Sequence, residues 1–268
     1  MNTHPLSEEQ VARFEKDGYL LVPQLFDSEE VDLLRKIAKA DAQLAQEARE
    51  RLDAEGGLSK LSLRNDLRED IYSAITRCRR IVDSMEQLLG GEVYHYHHKM
   101  MMKEPFVGGA WEWHQDYGYW YNNGCLFPYM ASCMIAVDRA TRENGCLQVL
   151  RGSHHMGRLN HGRIGEQTGA DPEHVQAALE RLELVYAEME PGDALFFHCN
   201  LLHRSDQNRS PNPRWVLICC YNAARNNPYK ESGHPRYSYL EKWPDERVKE
   251  IGRRQWEAMQ REMAGTGG

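Results

Sequence analysis

Apolar positions recur at helical spacing through the first third of the chain. Ser7-Glu8-Glu9-Gln10 has the form of a capping box and predicts a helix through Lys16, broken by Asp17-Gly18. Residues 19–22 read as a short strand. Asp27 or Ser28 caps a second helix in which Val31, Leu33, Leu34, Ile37 and Ala38 mark one apolar stripe. That helix is predicted to run toward Leu52, with Gly56-Gly57 stopping it. A further helical stretch over residues 66–89 ends at Gly90-Gly91.

Beyond Gly91 the period changes. Segments 93–103, 131–138, 146–150, 184–189, 194–198 and 215–222 are short, apolar or alternating, and separated by Gly, Pro, Asn and Asp. Strands spaced this way suggest a sandwich or barrel. One helix interrupts them over residues 171–183, with Asp171 as cap and Pro172 in the first helical position. Residues 244–263 return to helical spacing, and the Gly-rich end reads as a disordered tip. The charges interleaved over 244–262 read as a solvated helix face. The pattern predicts one α+β domain over residues 1–268: a helical N-terminal region (residues 1–91), a β core (residues 92–224) and a helical tail (residues 225–268).

Composition narrows the function classes. The 268 residues carry 33 basic and 40 acidic side chains, a net charge of −7. That field disfavours nucleic acid and anionic membrane as partners without a local basic patch, and leaves an enzyme or a binding module. No apolar run reaches membrane-spanning length, and the first residues lack a signal-peptide pattern. The cysteines, 7 in number and without a CxxC pair, fit free thiols in a reducing, cytoplasmic setting. A monomer or homodimer is expected.

The chemistry concentrates in Trp111-Glu-Trp-His114-Gln-Asp116-Tyr-Gly-Tyr-Trp120. On an extended segment His114 and Asp116 point the same way, as two adjacent ligands of a divalent metal would. With 12 histidines and 40 acidic residues, about two such pairs arise by chance, so the pair alone carries little. A histidine from another strand would complete a two-histidine, one-carboxylate triad suited to non-heme Fe(II). His198 and His203 compete for that place. Arg214, eleven residues after His203 and opening the next apolar strand, can clamp a dicarboxylate.

These residues belong to a longer series of blocks in order. The series begins with Phe14-x-x-Asp17-Gly18-Tyr19-Leu20-x-Val22, Phe106-Val107-Gly108-Gly109 and the His114-Gln115-Asp116 pair. It continues through residues 140–147, Arg151-Gly152-Ser153-His154 and Pro191-Gly192-Asp193, and closes on His203-x-Ser205 with Asn208, Ser210 and Arg214. The chain resembles the phytanoyl-CoA dioxygenase family of Fe(II)- and 2-oxoglutarate-dependent oxygenases, nearest in motif to the ectoine hydroxylases around Val93-Tyr94, Lys103 and residues 196–214. The resemblance implies a double-stranded β-helix (jelly-roll) core buttressed by the terminal helices. It implies Fe(II), 2-oxoglutarate and O2 as cofactor and cosubstrates, with succinate and CO2 released as a small polar metabolite is hydroxylated.

Carried onto this sequence, the resemblance makes His114, Asp116 and His203 the iron ligands; the Arg204-Ser205-x-x-Asn208 pattern favours His203 over His198. Arg214, Ser205, Lys103 and Met134 become the cosubstrate contacts. His97 stands where ectoine hydroxylases carry a substrate-binding glutamine, and Tyr117-Gly-Tyr-Trp120 replaces their residues after the aspartate. Both departures count against ectoine itself. Alternation along 97, 99, 101 and 103 turns His97, Lys99 and Met101 inward with Lys103. His97, Lys99 and Trp120 are therefore the substrate-contact candidates, and the aromatics of 111–121 form either a cage or ordinary packing. His95, His98, His154 and His155 read as structural. Retention of Asp116 argues against a halogenase. Desaturation, demethylation, epimerisation and a non-catalytic metal- or metabolite-binding jelly-roll remain as alternatives.

Overall fold

The computed structural model describes residues 5–53 and 55–265. The Gly-rich tip from Thr266 onward, expected to be disordered, lies outside the described residues. The chain runs α1 (Glu8–Asp17), β1 (Tyr19–Val22), α2 (Ser28–Ala40), α3 (Ala42–Glu47), β2 (Arg49–Leu52), β3 (Leu58–Arg64), α4 (Ile71–Arg77) and α5 (Arg79–Leu89). It continues with β4 (Val93–Lys103), β5 (Trp111–His114), α6 (Asp116–Trp120), β6 (Met130–Ala136), β7 (Leu147–Leu150), β8 (His161–Ile164) and β9 (Gln167–Ala170). The last elements are α7 (Pro172–Leu179), β10 (Leu184–Ala187), β11 (Ala194–His198), β12 (His203–Ser205), β13 (Arg214–Ala223) and α8 (Arg247–Gly265).

The major sheet has seven strands in the order β1-β11-β6-β13-β4-β3-β2, and the minor sheet has four, β10-β7-β12-β5. Their pairings are antiparallel. These are the two layers of the expected jelly-roll, and side-chain alternation decides what each face of the major sheet does. On β13, Trp215, Leu217, Cys219 and Tyr221 join the core shared with Ile37, Ile71, Met85 and Ile251 of the helices. Val216, Ile218 and Cys220 join the inner core with Met101, Met134, Phe197 and Val149. The helices cover one face, so the interior between the sheets stays available for a cavity. Among the described residues no helix is long and apolar enough to cross a membrane.

The expected helix caps are found, and several expected element bounds are corrected. Helix α1 carries its full capping box at Ser7, and Asp27 rather than Ser28 caps α2. The second helix stops at Ala40 instead of running toward Leu52, because Asp41 turns extended and caps the short α3. Residues 49–64 then form a hairpin, β2 with β3, that extends the major sheet beside β4. The single helix over 66–89 is two helices, broken at Cys78, whose backbone is extended. The segment before Gly91 is therefore less helical than expected: β2 and β3 join the expected strand β1 in the major sheet.

A bulge in β4 settles its histidines. Cys220 pairs with His97 but Tyr221 pairs with His95, leaving Tyr96 as the extra residue. The shift puts His95 and His98 on the helix-covered face, 3.1 Å apart and hydrogen-bonded to each other. His97, Lys99 and Met101 face the interior.

A metal centre between the two sheets

His114 ends β5 and His203 opens β12, and the two are directly paired across the minor sheet. The pairing brings their rings to 4.1 Å between centroids. Asp116 follows one extended residue later, at the start of α6. Its Oδ1 lies 3.9 Å from His114 Nε2 and 4.0 Å from His203 Nε2. All three side chains are buried, and their donor atoms lie within 4.8 Å of one another. Among the described residues this is the only group of three or more His, Cys, Asp or Glu side chains that converges so.

Hydrogen bonds set which nitrogen faces the centre. His114 Nδ1 donates to the Glu112 carbonyl at 2.7 Å and His203 Nδ1 to the Leu201 carbonyl at 2.9 Å. Each ring therefore keeps its proton on Nδ1 and turns an Nε2 lone pair toward Asp116. Burial pushes His114 down to about 3 and lowers His203 as well, so both imidazoles are neutral ligands. Burial alone would raise the Asp116 carboxyl, but the Lys99 ammonium beside it leads the influences that hold it below the usual range. Lys99 Nζ stands 3.9 Å from Asp116 Oδ1. Two neutral imidazoles and one ionised carboxylate on one wall of a cavity are the donor set of a ferrous centre with open positions, so the residues present fit iron.

Gln115, between two of these side chains, does not face the cavity. Its amide donates to the carbonyls of Gly157 (2.7 Å) and Asn200 (2.8 Å) and accepts from Leu159 N–H (2.8 Å). Its own N–H donates to His161 Nε2 at 2.9 Å. A Cβ on Gly118 would run into the His161 ring, which is why α6 needs glycine there.

The centre opens into a cavity of about 620 Å³. Met134, Ser205 and Arg214 line it, as does each of His97, Lys99 and Trp120. Arg214 is fully enclosed. Its Nη2 holds the Gly145 carbonyl at 2.8 Å, its Nε has no partner among the described residues, and burial lowers its guanidinium to about 10. An uncompensated guanidinium in such a place calls for an anion. His97 is buried by Trp120 (edge-on, 5.7 Å) and His234 (5.4 Å), and its Nδ1 is also unpartnered. Trp120 packs edge-on against Tyr96 at 5.5 Å while facing the cavity, so it serves wall and core together.

Lys103 faces the interior side of the sheet, as expected, but its ammonium is engaged there. Its ammonium donates to the Asp206 carbonyl, it does not line the cavity, and burial drives its charged form down. It lies directly opposite Arg214 in the sheet, so the two side chains leave the same face. His198, by contrast, leaves the interior: it packs near His154 and Phe14.

Sequence reasoning missed a stretch of the cavity wall. Arg49, Arg51, Leu61 and Leu63 of the β2–β3 hairpin, together with Glu166 and His234, line it too. The alternation Leu58-Ser-Lys-Leu61-Ser-Leu63 was the available signal for a strand, overshadowed by the helical stripe before it.

Comparison with known proteins agrees with this geometry. Residues 14–216 match the family model described as phytanoyl-CoA dioxygenase. The L-proline trans-4-hydroxylase of Streptomyces griseoviridis is 32% identical over 242 residues, covering 84% of this chain and 89% of that protein. The ectoine dioxygenase of Bordetella parapertussis is 29% identical over 252 residues, covering 88% and 82%. Crystal structures of EctD from S. alaskensis superpose at TM-scores of 0.77 in the apoform and 0.75 with bound Fe. Each of the two is 25% identical and covers 91% of this chain and 90% of its own. With its jelly-roll layers and its buried His-Asp-His group, the chain belongs to the phytanoyl-CoA dioxygenase family and is an Fe(II)- and 2-oxoglutarate-dependent oxygenase.

Proposed function

We propose that this enzyme hydroxylates a small polar metabolite, with His114, Asp116 and His203 as the iron ligands. The observation that carries the reading is the convergence of two Nε2 lone pairs and one ionised carboxylate on a single cavity. Bound there, Fe(II) would supply the activation of O2 that couples decarboxylation of 2-oxoglutarate, to succinate and CO2, to hydroxylation of a C–H bond.

The protein's own contribution is positioning. Arg214 receives the distal carboxylate of 2-oxoglutarate through a charge-assisted fork, and Ser205 adds a hydroxyl to the same carboxylate. Met134 and Phe197 supply apolar wall that keeps water from the cosubstrate. His97, Lys99 and Trp120 contact the substrate on the β4 side. The cavity volume suits a compact metabolite, in keeping with relatives named for proline and ectoine. The seven cysteines are free and buried, which fits a reducing cytoplasmic setting for a monomer or homodimer.

The test is anaerobic titration with Fe(II) and 2-oxoglutarate, followed by exposure to air with candidate metabolites. A visible Fe(II)–2-oxoglutarate absorption band is expected, and a product heavier by one oxygen with matching succinate. A product lighter by two hydrogens would redirect the assignment to desaturation. No band would remove the reading.

A further inference from the structure

The cavity holds more positive charge than its cofactors neutralise. Arg49, Arg51, Lys99, Arg204 and Arg214 face it, against the carboxylates of Asp116 and Glu166. Lys99 is beside Asp116, Arg204 is paired with Asp206, and Arg214 is assigned above to the cosubstrate. Ferrous iron and doubly charged 2-oxoglutarate cancel each other. Three arginines, Arg49, Arg51 and Arg214, then stand against Glu166 alone, an excess of two positive charges.

Arg49 and Arg51 occupy one face of β2, because they are two residues apart on a strand. Glu50, on the opposite face, is paired with Lys60 of β3 at 3.1 Å. The outer face of the hairpin is thus charge-balanced and its inner face is not. Among the described residues neither Arg49 nor Arg51 has a side-chain hydrogen bond or ion pair, although Glu166 lines the same cavity. Leu61 and Leu63 of β3 form apolar wall in the same cavity. Cationic groups beside low-dielectric wall focus their field into the opening.

We propose that Arg49 and Arg51 receive a carboxylate of the substrate, which is therefore a small organic acid bound between the β2–β3 hairpin and the metal centre. This inference rests on the oxygenase reading above. Two guanidinium forks give a carboxylate more donors than it can use, so one arginine can hold it while the other screens the entrance. Lys99 does not compete for that carboxylate, since Asp116 engages it.

The experiment compares the native enzyme with the double variant R49E/R51E and the conservative R49K/R51K, each loaded anaerobically with Fe(II) and 2-oxoglutarate. Each is dialysed against an equimolar mixture of small carboxylic acids, amino acids included, with the primary amide of every acid. The native enzyme is expected to retain one or more acids over their amides. R49E/R51E loses that affinity by at least about thirtyfold, with a smaller loss in R49K/R51K. The Fe(II)–2-oxoglutarate band stays unchanged in both variants, because neither arginine is assigned to iron or cosubstrate. Retention of an amide as tight as its acid, equal retention by the native enzyme and R49E/R51E, or retention of no acid by the native enzyme overturns the proposal. Absence of the band in the native enzyme overturns the oxygenase reading instead.

Discussion

Two histidine clusters stand on either side of β11, and only one suits a metal. His154 and His155 have ring centroids 3.9 Å apart, and His198 lies 5.4 Å from His154. Those distances are comparable with the 4.1 Å between His114 and His203. The difference is direction and charge. His154 Nε2 is tied to the Glu15 carbonyl and His198 Nδ1 accepts from Asn200 N–H, so their lone pairs do not share a centre. No carboxylate joins them in a converging group among the described residues. At His114 and His203 both Nδ1 protons are engaged with backbone carbonyls, and both Nε2 atoms face Asp116. Proximity of imidazoles is common packing; coordination requires that the opposite nitrogen be held.

The largest effect that tests this contrast comes from removing a ligand. D116A and H203A are expected to abolish the Fe(II)–2-oxoglutarate absorption band and succinate formation, whereas H198A keeps both. A lost band in H198A with a retained one in H203A would exchange the roles of the two clusters.

Arg214→Ala comes next. Removing a buried guanidinium that anchors a carboxylate is expected to weaken 2-oxoglutarate binding about a hundredfold. Iron affinity measured without cosubstrate should hold within about twofold. An unchanged 2-oxoglutarate Kd would mean the distal carboxylate binds elsewhere.

A smaller loss sharpens the role of the residue between the ligands. Gln115 connects the β5 end to the Gly157–Leu159 segment and to Asn200, three residues before His203. Gln115→Ala is expected to lower Fe(II) affinity about tenfold, as the orienting shell of a metal site does, with a lesser change in the 2-oxoglutarate Kd. Equal metal affinity in the variant would show that the backbone alone holds both ligands.

The last effect vanishes at neutral pH and appears only in acid, in the pH dependence of stability. Burial lowers His98 to about 3 and His198 to about 4, against 6.5 for a free histidine. Between the folded and unfolded values the unfolded chain binds more protons. Stability is therefore fully present above about pH 6.5 and declines as pH falls toward 4, by about 1.4 kcal/mol per pH unit for each such histidine. Chemical denaturation across this window should show the slope, and His98→Asn should make it shallower. A slope unaffected by that substitution would assign the acid sensitivity to other groups.

Residue order along the chain already contained much of this molecule. Strand β4, the apolar stripe of α2, the capping box at Ser7 and the His114-x-Asp116 pair are local features, since alternation, helical period and turn chemistry act over a few residues. His203 was reachable only through the resemblance, because most of the length of the β core separates it from His114 and Asp116. Three-dimensional pairing decided the rest. The hairpin of residues 49–64 becomes strand because β4 offers an open edge to β3, a contact invisible to a window that sees only the helix before it. The bulge at Tyr96 sends His95 and His97 to opposite sides of a sheet, and the Asp206 carbonyl holds the ammonium of Lys103 on the interior face. Side-chain direction on a strand is fixed by its neighbours' register, and that register is set by closure of the whole sandwich. Chemistry by type was written locally; which groups meet, and which stay unpaired at the opening, was settled only when the sheets came together.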